Sequence, residues 1–330
     1  MTKKNLNYLK EKTVLVTGGT GTFGLAFVSK LLKESEAKKI IIFSRDEFKQ
    51  SEMQRDFVKH MKRLRFFIGD VRDLSRLERA FDGVDIVVHA AALKQVPAVE
   101  FNPFEAVKTN ILGSQNVIEA ALNRNVDKVM LISSDKAVQP INLYGATKLA
   151  AEKLFLASNV YAGDVKKTKF GVIRYGNVIG SRGSLIEMIE KQKHTGVIKL
   201  TDDRMTRFWI SVDKVLDIVL DAIRAMEGGE IFVPKMESLK VADVIKYLAP
   251  QCDIKVIGIR PGEKLHEILI TEHEALRTKD IGKAFAIHPE SHQGALKWLN
   301  RKPGVKAEFC YASNHPDFLN FPNKAKKLLN

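Results

Sequence analysis

Through the first half of the chain, short apolar runs alternate with segments in which apolar residues recur every three or four positions. "TVLVTGG" is an apolar run that breaks into glycines, and it predicts a strand followed by a tight turn. "KIIIFSR", "RFFIGD", "DIVVHAAA" and "KVMLISS" predict four more strands. "FGLAFVSKLLKE" has helical spacing, as does "PFEAVKTNILGSQNVIEAALNR" between the last two strands. "KFGVIRYGNVIG" adds a further strand. This alternation predicts an α/β chain with a Rossmann-type doubly wound parallel sheet.

Beyond Gly180 the pattern changes. "SLIEMIEKQKHTG", "SVDKVLDIVLDAIRAM" and "VADVIKYLAP" predict helices, "GEIFVPK" a short strand, and "IKVIGIRPGE" a strand and turn. Residues 1–180 are therefore expected to form mainly a dinucleotide-binding domain. Residues 181–330 are expected to form mainly a smaller α/β substrate-binding region, interleaved with the first. The stretch from Gly282 to Asn330 has weak periodicity and predicts an extended or helical tail.

Composition narrows the class. The chain has 330 residues, 45% of them hydrophobic, enough for a sizeable core. Its two cysteines, Cys252 and Cys310, are far apart, which argues against a disulfide framework or a thiolate metal site. The polar start and the lack of a long apolar run point to a cytoplasmic protein with no membrane span. A net charge of +14 would suit nucleic acid, but the Lys and Arg are scattered and RNA-binding aromatic motifs are absent. A solvated surface with local phosphate sites is the preferred reading, and no nucleic-acid partner is expected.

"TGGTGTFG" places Gly18, Gly21 and Gly24 three apart between a strand and a helix. Glycines allow the tight turn and let the backbone approach a pyrophosphate at the helix N-terminus. Thr20, Thr22 and Phe23 fall within the same turn. At the end of the second predicted strand, where NAD sites usually carry a carboxylate, "FSRDEFK" puts Ser44 and Arg45 first, with Lys49 a turn later. A guanidinium suits a 2′-phosphate, so NADP is expected over NAD, with Asp46 keeping NAD open. Asp70 and Val71 follow the third strand, where an acid can accept from an adenine amino group; Ala90 and Lys94 end the fourth in "HAAALK".

Tyr144 and Lys148 lie four apart, on one face of a predicted helix. A Lys ammonium beside a phenol lowers its pKa, and the phenolate can take a proton from an alcohol as hydride leaves for nicotinamide. Ser134, ten residues before the Tyr, can hold that alcohol. Asp135 and Lys136 follow it directly, and a simple alcohol oxidation needs neither.

Taken in order, these motifs resemble the extended short-chain dehydrogenase/reductase superfamily. More narrowly, "SSDKAVQPINLYGATK", "FSRDEFKQSEMQ", "RYGNVIGSRGS", "RMTRFWIS", "GGEIFVPK" and "GIRPGEKLHEILI" resemble the inverting UDP-N-acetylglucosamine 4,6-dehydratases, from about Val14 to Ile270. The resemblance implies the first step of pseudaminic acid formation, yielding UDP-2-acetamido-2,6-dideoxy-beta-L-arabino-hex-4-ulose. It also implies catalytic roles. Tyr144 assists oxidation at carbon 4, Lys136 takes the carbon 5 proton, and Asp135 protonates the hydroxyl leaving carbon 6. Lys136 is then expected to have a lowered pKa, through burial and the nearby Lys148. A homo-oligomer is implied without its number.

Candidates for holding the sugar nucleotide are Lys94, Ser134, Lys136, Asn177, Arg182, Thr201, Arg204, Arg207, Arg260 and Glu263. The guanidiniums suit a diphosphate, and Glu263 the uridine ribose. Trp209 reads as core. His266 and Glu267 lack further ligands at metal spacing, so no metal is expected. A sugar-nucleotide 4-epimerase, a retaining dehydratase and a non-catalytic NADP-binding scaffold stay open as alternatives.

Overall fold

The structure is a computed structural model that describes residues 6–161, 168–181, 183–289 and 296–319. Six parallel strands form its centre: β1 (Thr13–Thr17), β2 (Lys39–Ser44), β3 (Leu64–Ile68), β4 (Ile86–His89), β5 (Lys128–Ile132) and β6 (Lys169–Ile173). Their order across the sheet is β3-β2-β1-β4-β5-β6. Both faces are covered by helices, so the strands are apolar almost throughout rather than alternating. Val14, Leu15, Val16, Ile40, Ile42, Val87, Val88, Val129 and Leu131 are all essentially inaccessible. This is the doubly wound sheet that the apolar runs predict.

The sheet continues with residues from the second half. Strand Ile231–Pro234 adds parallel to β6, followed by Ala284–Ile287 and Thr278–Asp280, both antiparallel, to make nine strands. Thr278–Asp280 and Ala284–Ile287 are joined by a short hairpin turn, so these two neighbours run in opposite directions. A second apolar cluster lies beside the sheet, built from Ile198, Met205, Trp209, Leu239, Val244 and Ile245. It is carried by strands Val197–Leu200, Thr206–Ile210 and Glu237–Lys240 and the helix Val241–Leu248. Trp209 is core there, as expected, with 1% exposure.

The stretch from Gly282 contributes more than an extended or helical tail. Besides the sheet strand Ala284–Ile287, it contains the short strand Tyr311–Ala312, which pairs antiparallel with Ile268–Ile270. Tyr311 is 1% exposed, and its ring packs on Phe208, Phe285 and Phe318. Its period is too short for a sequence pattern: two residues of strand carry no alternation to read. Among the described residues, no helix is long and apolar enough to cross a membrane.

Candidate active site

Strand order reverses between β1 and β4, and ligands of open α/β sheets bind at the carboxyl ends beside such a switch. A cleft of about 660 Å³ opens there. It is lined by Gly18, Thr20, Gly21, Thr22, Phe23 and Gly24 after β1, and by Ser44, Arg45 and Lys49 after β2. Asp70, Val71, Ala90 and Lys94 line it from β3 and β4, and Ser134, Asp135, Lys136, Tyr144, Lys148 and Asn177 from the far wall.

The first turn is shaped for close backbone approach. Gly18 has φ +66°, and a Cβ there would lie 2.9 Å from Ala91 N. A Cβ on Gly24 would lie 2.6 Å from Gly18 O, so the helix Thr22–Glu34 could not start this close to the turn with any other residue. The N-terminus of that helix lies at the cleft, a cradle that fits a dinucleotide pyrophosphate.

At the end of β2 the two candidate selectors have separate duties. Asp46 caps the helix Glu47–Asp56, accepting from Lys49 N at 3.0 Å, and also pairs with Lys49 Nζ at 2.5 Å. Those bonds hold its carboxyl below the usual range. Arg45 is 54% exposed at the cleft mouth, 3.5 Å from Asp70. Asp70 also binds Arg72, whose hydrogen bonds outweigh its burial and hold its carboxyl low. Gln50 was not a sequence candidate. Buried at 2%, it donates to Ser44 O, Ser44 Oγ and Phe67 O, tying the ends of β2 and β3 together.

The helix Leu143–Tyr161 carries Tyr144 and Lys148 on one face. Lys148 is 4% exposed and donates to Ile132 O at 2.7 Å. Burial lowers its pKa to about 8 against the opposing charge of Glu152. Tyr144 is raised by burial; the Lys136 ammonium and the Ser134 hydroxyl oppose that rise. The cation acting on the phenol is thus Lys136, where Lys148 was expected.

A single turn at Asp135–Ala137 follows β5, capped by Ser134, which accepts from Lys136 N. The turn ends strand alternation, so successive side chains can share the cleft. Ser134 Oγ donates to Asp135 Oδ1 at 2.7 Å. Lys136 Nζ lies 3.2 Å from Asp135 Oδ1 and 3.3 Å from Glu267 Oε1. Contrary to the expected lowering, the pKa of Lys136 is raised. Burial pushes it down, but Asp135 and Glu267 together outweigh burial. Sequence reading weighed Glu267 only as a metal ligand, and no metal-holding cluster occurs among the described residues.

Two further groups brace this wall. Asn110, 2% exposed on a π-helical stretch at Val107–Leu112, binds Leu93 N, Leu93 O and Thr147 Oγ1. It joins the loop after β4 to the Tyr144 helix; a lone Asn in a helical pattern gave no signal. Behind Lys148, Glu152 binds Ser133 and Arg174, and Arg174 binds Glu274.

Of the sugar-nucleotide candidates beyond Lys148, only Asn177 lines the cleft among the described residues. Arg207 is 8% exposed and spends its guanidinium on the carbonyls of Thr206, Lys264 and Leu265. Arg204 is 69% exposed and paired with Asp202. Thr201 is buried against Met205. Arg260 is exposed on a turn closed by its N–H to Glu263. Arg182 lies outside the described residues.

Residues 14–289 match the family described as polysaccharide biosynthesis protein. A UDP-N-acetylglucosamine 4,6-dehydratase (inverting) from Campylobacter jejuni is 50% identical, over 92% of this chain and 93% of its own. A UDP-glucose 4-epimerase from Rickettsia bellii is 43% identical, over 97% and 96%. The X-ray structure of Pen from Bacillus thuringiensis superposes with a TM-score of 0.85 at 37% identity, covering 93% of this chain and 95% of that one. Similarity of this extent, sustained over nearly the whole length of each relative, means that the chain belongs to the polysaccharide biosynthesis protein family, on the extended short-chain dehydrogenase/reductase fold.

Proposed function

We propose that this protein is an NADP-dependent UDP-N-acetylglucosamine 4,6-dehydratase that inverts carbon 5 and yields UDP-2-acetamido-2,6-dideoxy-beta-L-arabino-hex-4-ulose, as the first step towards pseudaminic acid. The observation that carries this reading is the contact of Lys136 with Asp135 in the cleft that also holds Tyr144. Alcohol oxidation uses the Tyr; loss of water from the next two carbons needs an acid and a base as well.

A bound nicotinamide dinucleotide supplies the hydride acceptor and later the donor. The glycine turn would hold its pyrophosphate, and Arg45 the 2′-phosphate that distinguishes NADP. Tyr144 takes the proton of the carbon 4 hydroxyl, with Ser134 beside it to orient that hydroxyl. A ketone at carbon 4 acidifies the carbon 5 proton, which passes to Lys136. Asp135 gives its proton to the hydroxyl departing from carbon 6.

A 4-epimerase reading draws support from the Rickettsia relatives, which are named for that reaction. It would use Tyr144 and leave Asp135 and Lys136 without work. Incubation with UDP-N-acetylglucosamine separates the two. A product lighter by one water, with deuterium at carbon 5 when made in heavy water and coupling constants for the inverted centre, is expected. An isomer of unchanged mass would establish the epimerase instead.

A further inference from the structure

Glu267 sits on the segment that leads into strand Ile268–Ile270 and does not line the cleft. It is nevertheless aimed at the residue that matters most there. Its side chain is 3% exposed, with Oε1 3.3 Å from Lys136 Nζ. Its other oxygen, Oε2, is buried with no hydrogen-bond partner among the described residues, and Lys264 Nζ stands 3.5 Å from it. Asp135 Oδ2 on the opposite side of Lys136 is likewise buried and unpartnered. An amine therefore bridges two buried carboxylates, each with an oxygen that accepts no hydrogen bond among the described residues. Such oxygens are costly unless they take a proton or a donor at some stage of the reaction.

Glu267 is also held firmly. Its N–H donates to Ser313 Oγ at 2.9 Å, and its carbonyl accepts from Ser313 N at 2.8 Å. Ser313 in turn binds Thr206. Contacts to Ser313, and through it to Thr206, thus fix the backbone that carries this carboxylate, whose two oxygens face Lys136 and Lys264.

We propose that Glu267 is a positioning residue that takes and returns the proton of Lys136. The inference rests on the dehydratase reading. Before the elimination Asp135 is protonated, Glu267 is a carboxylate and Lys136 an ammonium. An N–H bond of Lys136 breaks and an O–H bond forms on Glu267, leaving a free amine. The amine lone pair takes the carbon 5 proton, and that C–H electron pair becomes the carbon 5–carbon 6 double bond. The carbon 6–oxygen bond breaks, and the oxygen leaves as water with the Asp135 proton. Asp135 is then a carboxylate, Lys136 an ammonium and Glu267 protonated. Transfer of a proton from Lys136 to Asp135, with its replacement from Glu267, restores the starting state. The cluster's net charge is unchanged throughout.

The other groups facing Lys136 set the pH at which this runs. They are Arg207 from strand Thr206–Ile210, Tyr144 from its helix and Lys94 from the loop after β4, with Lys264 acting through Glu267. With Glu267 and Asp135 both ionised, Lys136 keeps its proton well into alkaline solution. A neighbouring carboxylate that takes this proton during the elimination gives the amine an internal route to its basic form, without exchange with solvent.

Glu267→Gln keeps the shape and removes the proton-accepting oxygen. Three readouts are compared on full-length protein loaded with cofactor: appearance of reduced nicotinamide, deuterium entry at carbon 5, and release of dehydrated product. Water loss and carbon 5 exchange are expected to fall on the order of 100-fold, mainly in kcat, while nicotinamide reduction stays within about twofold. Glu267→Asp, which can still take a proton, is expected to recover part of the loss and to keep the alkaline limb of the pH profile that the Gln variant lacks. Wild-type dehydration rates in Glu267→Gln would overturn the proposal. So would equal loss of nicotinamide reduction, which marks a purely structural role. A wild-type protein that never dehydrates the sugar would instead remove the dehydratase reading, and this inference with it.

Discussion

Arg45 and Tyr144 carry the two assignments that single substitutions can test most directly. Arg45 stands exposed at the end of β2 while the neighbouring Asp46 is occupied as a helix cap. Loss of a charge-assisted contact costs about 1.5–3 kcal/mol, so Arg45→Ala is expected to weaken NADP on the order of 10- to 100-fold and to leave NAD nearly unchanged. Titration of both cofactors by fluorescence quenching checks this, and equal weakening of the two would exclude Arg45 as the selector. Tyr144→Phe removes the phenol and keeps the ring. It is expected to bind cofactor and sugar nucleotide but to lower carbon 4 oxidation by at least ~100-fold in single-turnover measurements. Residue chemistry was readable from the sequence where a motif is local: the glycine turn, Tyr144 with Lys148, and Asp135 with Lys136 are all short strings. Glu267 and Asn110 were not, because each acts on a residue far away along the chain, and only the fold brings the partners together.

Packing between elements explains why the Asp135–Ala137 turn stays where the chemistry needs it. The turn lies on the start of the Tyr144 helix, and a Cβ on Gly145 would collide with the Lys136 carbonyl. Gly145→Ala is therefore expected to displace Lys136 and cost on the order of 100-fold in water loss, with cofactor binding intact. Isothermal titration beside a product assay separates the two effects. Further back, His89 joins β1 to a neighbouring helix: Nδ1 meets Thr17 Oγ1 at 2.7 Å and Nε2 meets Ser114 Oγ at 3.2 Å. Burial lowers its pKa from 6.5 to about 3. Between those values the unfolded chain binds a proton that the folded chain excludes, so stability falls as pH drops through this window. Urea unfolding from pH 6.5 down to 3 is expected to show that loss, and His89→Gln to remove its share. The strands were legible because buried parallel strands are long apolar runs. Strand Thr206–Ile210 was not, since "TRFWI" mixes a buried Arg into the apolar run.

At the scale of the molecule, the end of the chain holds the second half in place. Tyr311 fills the space between Phe208, Phe285 and Phe318, and its hydroxyl accepts from Met236 N and donates to Met236 O. Tyr311→Ala is expected to cost about 3–5 kcal/mol, read as a shift in the denaturation midpoint. No sequence pattern announced this role. Aromatic residues spread over an irregular stretch have no period, and their meaning appears only when strands distant in sequence converge on them.

The order in which these pieces leave the ribosome has a consequence for synthesis. The parallel strands up to Ile231–Pro234 are made first, yet that strand's outer edge is covered only by Ala284–Ile287. Until then a nascent chain carries an open apolar edge, the kind of surface on which unfinished chains aggregate. Ribosome-bound chains halted near residue 275 should accordingly be captured by chaperones and cut by proteases, whereas chains released after residue 319 should escape both.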